Sequence, residues 1–421
     1  MNQFSKEERV AFEQLLEGFE DALVLSRNIT IQRTDQTLME RTGDVLWTPQ
    51  PYIVTSYDGT DMTNNFKPNH QLSVPISINY EKGVPWSLSP TELRDALQEG
   101  RLGKAAYQRL ASDVNVSVAT IAKNEGSIVV VKSTAASGFA DVAALEGAFN
   151  RVGIADDARY LALSTADYNG LAADLANRET LTSGKTLDAY ERAHVGRVAS
   201  FETFKLDYAL SLTANATTGI TIDTRASASN FYAPAATTTD ASGRRSNVDN
   251  RYQTITLSTN TGLVVGDAFT IAGVNEAHHI TKLSTGELKT FRIVEILAAN
   301  QIVITPPMVD HAVGGGRPAE QYKNVVIATS ATAALTLLNI ATKPANPFWH
   351  KEAIKLLPGR YAIPSNSGMA VLRSSTAQGI EVTMSKQTDI KTLETFYRVD
   401  VRYGVEMVNP EMAGIALFSQ A

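Results

Sequence analysis

The sequence predicts an α+β fold in which a small antiparallel β-barrel is inserted into a mixed α/β domain. Helical periodicity dominates the first part of the chain, strands and helices alternate over residues 128–215, and short strands follow one another over residues 220–330. Turn signals such as Gly266-Asp267 separate those short strands, a spacing typical of a small barrel. Because the α/β pattern is expected to return after residue 345, the barrel is predicted to interrupt a continuing domain.

An amphipathic helix is predicted at residues 5–25. Ser5, followed three residues later by Glu8, forms a capping-box pattern at its start. Its apolar face comprises Phe12, Leu15, Leu16, Phe19 and Leu23. The first 25 residues carry six acidic and two basic side chains, a net charge of −4. Because an isolated helix is marginal in water, this one is expected to need a surface to lie on.

A long hairpin is predicted at residues 51–80. The stretch YIVTSY is expected to form one strand, DGTDMTNNFKPNHQ a polar tip, and LSVPISINY the returning strand, in which apolar residues alternate. Pro75 lies inside the returning strand and favours an edge position. A two-stranded hairpin is marginal on its own, so it is also expected to need a neighbour.

The strongest helical signal begins with SPTE at residues 89–92, a capping box with proline at the first helical position. After a break at Gly100 and Gly103, residues 103–125 predict a helix about 35 Å long. Gly126 is the expected C-cap. This length suits the backbone element of an elongated subunit.

Beyond this helix the sequence predicts first an α/β domain and then the barrel. Strands are expected at SIVVV and RYLALS, and helices at residues 138–150 and 165–177. The barrel strands are predicted at ITIDT, YQTITLS, DAFTIAGV, FRIVEIL, QIVITP and NVVIA. A run of charges at residues 240–251 precedes YQTITLS. Such a loop is more often a solvated surface or a partner contact than a catalytic cluster.

The composition is that of an ordinary globular protein. The chain has 421 residues, 43% of them hydrophobic and 19% charged, with a net charge of −6. This acidic balance disfavours a surface devoted to nucleic acid. The absence of cysteine excludes disulfides, cysteine nucleophiles and thiolate metal sites. The first residues do not resemble a secretory signal and no apolar run is long enough to span a membrane, so a soluble protein made in the cytoplasm is expected.

No catalytic, cofactor or metal-binding motif stands above background. SGKT at residues 183–186 ends like a phosphate-binding loop, but Glu179 occupies the position at which that motif needs glycine, so a turn is favoured. The triplet GGG at residues 314–316 predicts a flexible loop. His278 and His279 are adjacent, and because neighbouring strand residues face opposite sides, a polar loop is favoured over a metal site.

Four segments carry a resemblance to a known family: ELRDALQEGRLGKAAYQRLASDVNVSVATIAKNEGS (92–127), VDNRYQTITLSTNTGLVVGDAFTIAGV (248–274), NPFWHKEAI (346–354) and RYGVEMVNPEMAGIAL (402–417). Together they resemble the major coat proteins of short-tailed bacteriophages of the P-twenty-two type. The resemblance spans nearly the whole chain in the right order, and the barrel segment is its most specific part.

The resemblance implies the Hong Kong 97-like capsid fold, α+β, with an inserted antiparallel β-barrel of the six-stranded type. The implied division is an N-arm (1–30), a peripheral domain with the spine helix (31–50, 85–127 and 395–421), an E-loop (51–84), an axial domain (128–219 and 345–394) and the inserted barrel (220–344).

The resemblance further implies a major capsid protein without catalytic activity or cofactors. Such a protein assembles, with a scaffolding protein, into the icosahedral shell that encloses the genome of a tailed double-stranded DNA phage. The implied partners are further copies of the chain in pentamers and hexamers, the scaffolding protein, a portal protein at one vertex and the packaged DNA, held non-specifically, with no membrane. The expected location is the virion, after assembly in the cytoplasm of the host bacterium.

Three groups of contact residues follow from this resemblance and from the charge pattern. The candidates for contact between capsomers are Asp240, Arg244, Arg245, Asp249 and Arg251. The candidates for docking of a basic scaffold element are Glu7, Glu8 and Glu13 on the acidic helix. The candidates at the tip of the E-loop are Asp58, Asp61 and Lys67.

Three other classes of protein fit the sequence less well. An α/β enzyme with a β-insertion would need a cleft with clustered titratable groups, and the sequence offers none. A ligand- or carbohydrate-binding phage module would use aromatic stacking on the barrel, yet Trp47, Trp86 and Trp349 all lie outside it. A nanocompartment shell protein would share the broad fold but is not expected to carry the insertion.

Overall fold

The computed structural model describes most of the chain as two compact units. The described residues are 4, 6–33, 45–54, 56, 58–63, 66–92, 96–177, 189, 191, 193–206, 208, 210–222, 231–311, 316–327, 333–363 and 368–420, and the side chains of 7, 96–104 and 317 are not among the described parts. Unit 1 comprises Met1–Leu46, Ile76–Ala119 and Ile354–Glu406. Unit 2 comprises Trp47–Pro75, Thr120–Ala353 and Met407–Ala421.

The elements of the described residues are as follows. The α-helices are α1 (Lys6–Ala22), α2 (Ala96–Glu125), α3 (Phe139–Val152), α4 (Thr165–Ala176) and α5 (Gly316–Gln321), and the 3-10 turns are Ser26–Asn28 and Pro410–Met412. The strands are β1 (Thr30–Ile31), β2 (Val45–Pro49), β3 (Ser73–Ser77), β4 (Tyr80–Leu88), β5 (Ile128–Val131), β6 (Arg159–Ser164), β7 (Arg197–Val198), β8 (Phe201–Leu206), β9 (Ser211–Leu212), β10 (Thr221–Ile222), β11 (Thr237–Thr239), β12 (Arg245–Asn247), β13 (Gln253–Thr256), β14 (Ala268–Ala277), β15 (Ser284–Ile296), β16 (Gln301–Thr305), β17 (Val325–Ile327), β18 (Ala333–Leu337), β19 (Lys343–His350), β20 (Ile354–Pro358), β21 (Ala370–Ser375), β22 (Glu381–Thr388), β23 (Thr395–Met407) and β24 (Ala413–Leu417).

Unit 1 is built on a six-stranded sheet in the order β1-β20-β23-β22-β21, with β4 also paired to β23. Strand β1 runs parallel to β20, and the long strand β23 pairs antiparallel with both β22 and β4. Tyr80 and Tyr403 stack across the β4–β23 pair with ring centroids 5.3 Å apart. The side chain of Tyr403 also lies 2.9 Å from Ser117 Oγ, which joins the sheet to helix α2.

Helix α1 confirms the predicted amphipathic helix, with its apolar face buried. Phe12, Leu15, Phe19 and Leu23 are buried. The helix ends at Ala22, earlier than predicted, because Asn115 of α2 binds the backbone at this point. The side-chain amide of Asn115 donates to Ala22 O at 2.9 Å, and its side-chain oxygen accepts from Leu25 N at 3.2 Å. Ser5, the predicted cap, lies outside the described residues.

Helix α2 is longer than the sequence predicts, since the backbone is helical without interruption from Ala96 to Glu125. The predicted break at Gly100 and Gly103 is wrong. Glycine lowers helix stability by about 1 kcal/mol but keeps its N–H donor, so a long helix can absorb it. Gly126 confirms the end of the helix, where its N–H donates to Ala122 O at 3.1 Å.

The predicted hairpin is shifted along the chain. Strand β2 pairs with β3, whereas Tyr52, Ile53 and Val54 of the predicted strand YIVTSY belong to no strand. Gln50 N donates to Leu72 O at 2.9 Å, which closes the loop at its root.

Unit 2 contains a mixed sheet in the order β5-β24-β19-β6-β8-β7, with β9 paired to β19. Strands β5 and β24 are parallel, as are β6 and β8, and β19 is antiparallel to both of its main neighbours. Phe149, Phe201 and Phe348 pack together at the centre of its core, with Phe149 and Phe348 centroids 5.0 Å apart. The helices α3 and α4 supply further residues to this core, among them Leu145 and Leu171.

The segment after residue 345 differs from the α/β pattern predicted there. Its described residues hold strands and one 3-10 turn. Strands β19 and β24 belong to the mixed sheet of unit 2, whereas β20 to β23 form the sheet of unit 1. The resemblance assigns residues 345–394 to the axial domain and 395–421 to the peripheral domain. In the structure β22, from the first range, pairs along its length with β23, from the second, so both strands lie in one sheet.

The barrel is present within unit 2 as a nearly closed antiparallel sheet. Its six strands follow the order β10-β18-β14-β15-β16-β13, β17 pairs β14 off this path, and an isolated bridge from Ile222 to Leu257 brings the two ends together. Phe269 and Phe291 stack in its core at 5.7 Å. The sequence prediction missed β18, although its burial alternates strictly as a half-buried strand should.

Candidate subunit-contact surfaces

The charged run forms a small exposed hairpin, residues 237–247, here called the charged hairpin. Strands β11 and β12 pair from Thr237–Asn247 to Thr239–Arg245. The carboxylate of Asp240 accepts the N–H groups of Ser242 at 2.9 Å and Arg244 at 2.8 Å, and Gly243 takes the left-handed conformation that the turn requires, φ +77°. Asp240 is therefore a turn-forming residue as well as a surface charge.

The two arginines of the charged hairpin are both exposed. Arg245 Nη2 donates to Thr237 Oγ1 at 3.3 Å across the strand pair. Arg244 has no carboxylate within ion-pair distance in the described part of the chain. The hairpin thus presents two guanidinium groups to the solvent.

Asp249 and Arg251, predicted with this loop, lie at its root instead. Arg251 is only 5% exposed; its Nε and Nη2 donate to Asp249 at 3.0 and 2.7 Å, and its Nη1 donates to Met407 O at 2.9 Å. This arginine also stacks over the ring of Tyr252, 5.0 Å from its centroid. The prediction that Arg251 contacts another capsomer is therefore corrected. Its buried side chain instead holds the root of the charged hairpin in place within unit 2.

The loop between β2 and β3 exposes the predicted tip residues Asp58, Asp61 and Lys67. Asp61 accepts both the N–H and the hydroxyl of Thr63, at 3.0 and 2.6 Å, and these hydrogen bonds lower its pKa. Phe66 is 87% exposed on the same loop. An aromatic ring left in solvent beside mixed charges is a feature of contact surfaces.

The root of this loop is hydrogen-bonded to the last residue of α5 and to the residue that follows it. His70 N donates to Gln321 Oε1 at 3.0 Å, Gln321 Nε2 donates to Asn69 Oδ1 at 3.0 Å, and Leu72 N donates to Tyr322 Oη at 3.0 Å. Sequence reasoning missed Gln321 and Tyr322, because nothing in their local pattern indicates a partner some 250 residues away in the chain.

The acidic helix α1 divides its predicted docking residues. Glu13 is exposed, and the side chain of Glu7 lies outside the described part of the structure. Glu8 is 5% exposed, contacts Lys386 Nζ as an ion pair and accepts from Tyr397 Oη at 2.9 Å. Glu8 is therefore corrected from a docking residue to an internal anchor of α1 on the sheet of unit 1.

An ionic cluster joins the barrel to the mixed sheet inside unit 2. Lys289 of β15 is 1% exposed and lies 2.7 Å from Glu411 Oε1 and 3.6 Å from Glu276 Oε1; Arg151 of α3 lies 3.6 Å from Glu276 Oε2. Burial alone would lower the pKa of Lys289 and raise that of Glu411. The ion pair outweighs burial in both cases, so the pKa of Lys289 is raised and that of Glu411 is lowered.

The two connections into and out of the barrel meet at one carboxylate. Asn215, before β10, donates to Asp267 Oδ2 at 2.5 Å, and Asn339, after β18, donates to Asp267 Oδ1 at 2.9 Å. Asn215 N also donates to Asn339 O at 2.7 Å. This arrangement, here called the linker clasp, holds both ends of the insertion at Asp267, the residue immediately before β14.

No catalytic or metal centre emerges from the described residues. Within them, no group of three or more His, Asp or Glu side chains could hold a metal ion. His278 Nδ1 accepts the N–H groups of Ile280 and Thr281 at 3.3 and 3.2 Å, as expected for a polar loop. SGKT at 183–186 lies outside the described residues, as do two of the three glycines of GGG. Among the described residues, no helix is both long enough and apolar enough to cross a membrane.

Comparison with known proteins identifies relatives of the whole chain. The family model described as "P22 coat protein - gene protein 5" matches residues 1–419. Among solved structures, the capsid of cyanophage P-SCSP1u is 11% identical, with 94% of this chain and 87% of that chain covered and a TM-score of 0.42. The virus-like particle from Pyrococcus furiosus is 9% identical, with 99% and 100% covered and a TM-score of 0.41.

A third similar structure covers a smaller part of this chain. It is the CUS-3 coat protein I-domain, 36% identical over 30% of this chain and 99% of that chain, with a TM-score of 0.19. Because the family model matches nearly every residue, and the structure is α+β with a nearly closed inserted barrel, the chain belongs to the P22 coat protein family and is a phage capsid protein.

Proposed function

We propose that this chain is the major capsid protein of a tailed double-stranded DNA phage and assembles with a scaffolding protein into a closed icosahedral shell. The match of the family model to residues 1–419 carries this proposal. The charged hairpin and the loop that bears Phe66 support it, since both leave side chains exposed for contact with a neighbouring copy.

The charged hairpin is assigned to contacts between capsomers, with Arg244 and Arg245 as its cationic residues. A single exposed ion pair contributes only about 0–1 kcal/mol. Repetition of the same contact by symmetry multiplies that small contribution over the shell. Asp58, Asp61 and Lys67 are assigned to contacts made by the extended loop with an adjacent copy.

The exposed face of α1 is assigned to docking of a basic scaffold element, now through Glu13 rather than Glu8. Its exposed neighbour Glu17 lies one helical turn further on and extends the acidic face. Replacing both by glutamine is expected to weaken scaffold binding and its dependence on salt, while Glu8→Gln would instead destabilise the subunit. Unchanged salt-sensitive binding in the double variant would remove this assignment.

The experiment that tests the proposed function is electron microscopy with sedimentation, on the chain expressed with and without a co-expressed candidate scaffolding protein. Uniform closed shells with the scaffold, and aberrant or mixed particles without it, are expected. A monomer or small oligomer under both conditions would contradict the capsid assignment. Uniform shells formed without the scaffold would support the assignment as a shell protein but contradict its dependence on a scaffolding protein.

A further inference from the structure

Unit 2 contains a small cavity with both polar and apolar walls, here called the junction cavity, at a point where several distant segments meet. Its walls include Tyr322 and Lys323 after α5, Arg251 at the root of the charged hairpin, Lys282 in the β14–β15 turn, and Asn409 before β24. The cavity measures about 40 Å³. A water molecule needs roughly 10–15 Å³ on this scale, so there is room for about three waters or one small oxyanion.

The charges around the junction cavity do not cancel. Arg251 is paired with Asp249, Lys323 lies 3.3 Å from Asp310, and Glu411 is paired with Lys289. Lys282 is the exception among the charged wall residues. Its ammonium donates to Lys323 O at 3.1 Å and has no carboxylate within 4.0 Å in the described part of the chain. One positive charge is therefore left over, with two of its N–H donors unused.

Two further donors face the cavity without a hydrogen bond inside the described structure. Asn409 is only 6% exposed; its side-chain oxygen accepts Glu411 N at 3.2 Å, but its Nδ2 group donates to no described atom. The imidazole of half-buried His279 is likewise left without a described hydrogen-bond partner. Both residues line the cavity, so their donors are available to an acceptor placed inside it.

We propose that the junction cavity is a binding site for one small inorganic oxyanion, of the phosphate or sulfate class, held by Lys282 Nζ, Asn409 Nδ2 and His279. The oxyanion offers several acceptors to the three donors of the cavity wall and neutralises the ammonium of Lys282. Charge-assisted hydrogen bonds of this kind are the stronger ones in proteins. Bound there, the anion joins the β14–β15 turn of the barrel to the segment that leads into β24.

The protonation of these groups sets the pH range of binding. Burial, with the nearby Lys289 and Lys323, lowers the pKa of Lys282 to about 8, although Glu411 opposes the shift. Burial also lowers the pKa of His279, with Lys282, Lys289 and His278 acting in the same direction and Glu411 opposing. The anion favours charged Lys282, so its affinity is expected to fall as the pH rises through about 8.

The test is isothermal titration calorimetry of the full-length, unassembled chain with sodium sulfate at constant ionic strength. Sulfate is the probe because its charge does not change over the pH range of interest. A saturable 1:1 signal is expected for the wild type and for Lys67→Met, the matched control in which an exposed lysine of the same unit is removed. Lys282→Met is expected to weaken binding by about tenfold or more, because it deletes a charged hydrogen bond.

A second variant keeps the test decisive if Lys282→Met does not fold. Asn409→Asp retains the oxygen that accepts Glu411 N and replaces the free donor by a negative charge, so it is expected to abolish binding. Lys282→Arg is expected to bind sulfate at pH 9, where the wild type has weakened. Absence of saturable binding to the wild type, or equal affinity in wild type and Asn409→Asp, would show that the cavity holds water only and would overturn the proposal.

Discussion

Lys289 Nζ lies 2.7 Å from Glu411 Oε1, in a buried ion pair that joins the inserted barrel to the 3-10 turn before β24. Removing one partner leaves the other charge buried and uncompensated, which costs about 3–5 kcal/mol. Lys289→Met is therefore expected to lower the free energy of unfolding by at least about 3 kcal/mol, measured by urea denaturation.

The double variant Lys289→Met with Glu411→Leu separates charge from packing. It is expected to recover much of the loss, because both members of the pair are replaced by apolar groups. Glu287→Gln, an exposed carboxylate on the same strand, is the control and should change stability little. Equal losses in the single and double variants would show that the ion pair is not the cause.

The same pair predicts an acid limit to stability. The pKa of Glu411 is lowered from 4.5 in the folded chain, so its contribution is complete above that pH and is lost as the pH falls further. The pKa of Lys289 is raised from 10.5, so its contribution is lost only above that pH. Thermal unfolding between pH 3 and 7 should show a fall in Tm at the acid end that is smaller in Glu411→Gln. A parallel fall in both proteins would exclude Glu411 as the responsible group.

The linker clasp predicts that removing the carboxylate of Asp267 strongly lowers the free energy of unfolding. Asp267→Ala leaves the side-chain amides of Asn215 and Asn339 and the N–H of Val264 without their acceptor. Each unsatisfied buried group costs about 1–3 kcal/mol, so a loss of about 3 kcal/mol or more is expected in urea denaturation. Amide hydrogen exchange should rise at residues 213–217 and 338–342. Unchanged exchange there would show that Asp267 does not hold the linkers.

Replacing each of two glycines of unit 2 by alanine is expected to change stability in opposite directions. A Cβ at Gly414 would lie 2.1 Å from Ile128 O, so Gly414→Ala must separate β24 from β5 and is expected to cost about 3 kcal/mol or prevent folding. A Cβ at Gly147, inside α3, meets nothing within 4 Å, so Gly147→Ala is expected to stabilise by about 0.5–1 kcal/mol. Soluble yield and Tm decide both, and a neutral Gly414→Ala would contradict the close strand approach.

The charged hairpin predicts a defect confined to assembly. Arg244→Glu with Arg245→Glu is expected to leave the free energy of unfolding within about 0.5 kcal/mol of wild type, because both side chains are exposed. Shells are expected to be fewer or aberrant by sedimentation and electron microscopy. Arg244→Lys with Arg245→Lys keeps the charges and should retain shells. Normal shells from the charge-reversed variant would refute the assignment.

Local sequence patterns were sufficient where an element depends on its own residues. Helical spacing located α1, α3 and α4, and alternation located β6 and most barrel strands, because periodic burial is written into the order of residues. Lys289 shares the buried face of β15 with Phe291 and Ile293, but the predicted strand began at Phe291 and did not include it. The run of charges at residues 240–251 was predicted as a loop, and its pairing into the charged hairpin appears only in the structure.

Contacts between distant segments decided the rest. The sequence by itself determined a cysteine-free α+β chain with an inserted barrel, a long helix and exposed charged loops, since each follows from composition or local periodicity. Only the tertiary structure decided that Glu8 and Arg251 are internal anchors, that β20 to β23 join unit 1, and that Lys282 is left unpaired beside a cavity. Whether a charge is buried, paired or free depends on partners hundreds of residues away, which no local pattern records.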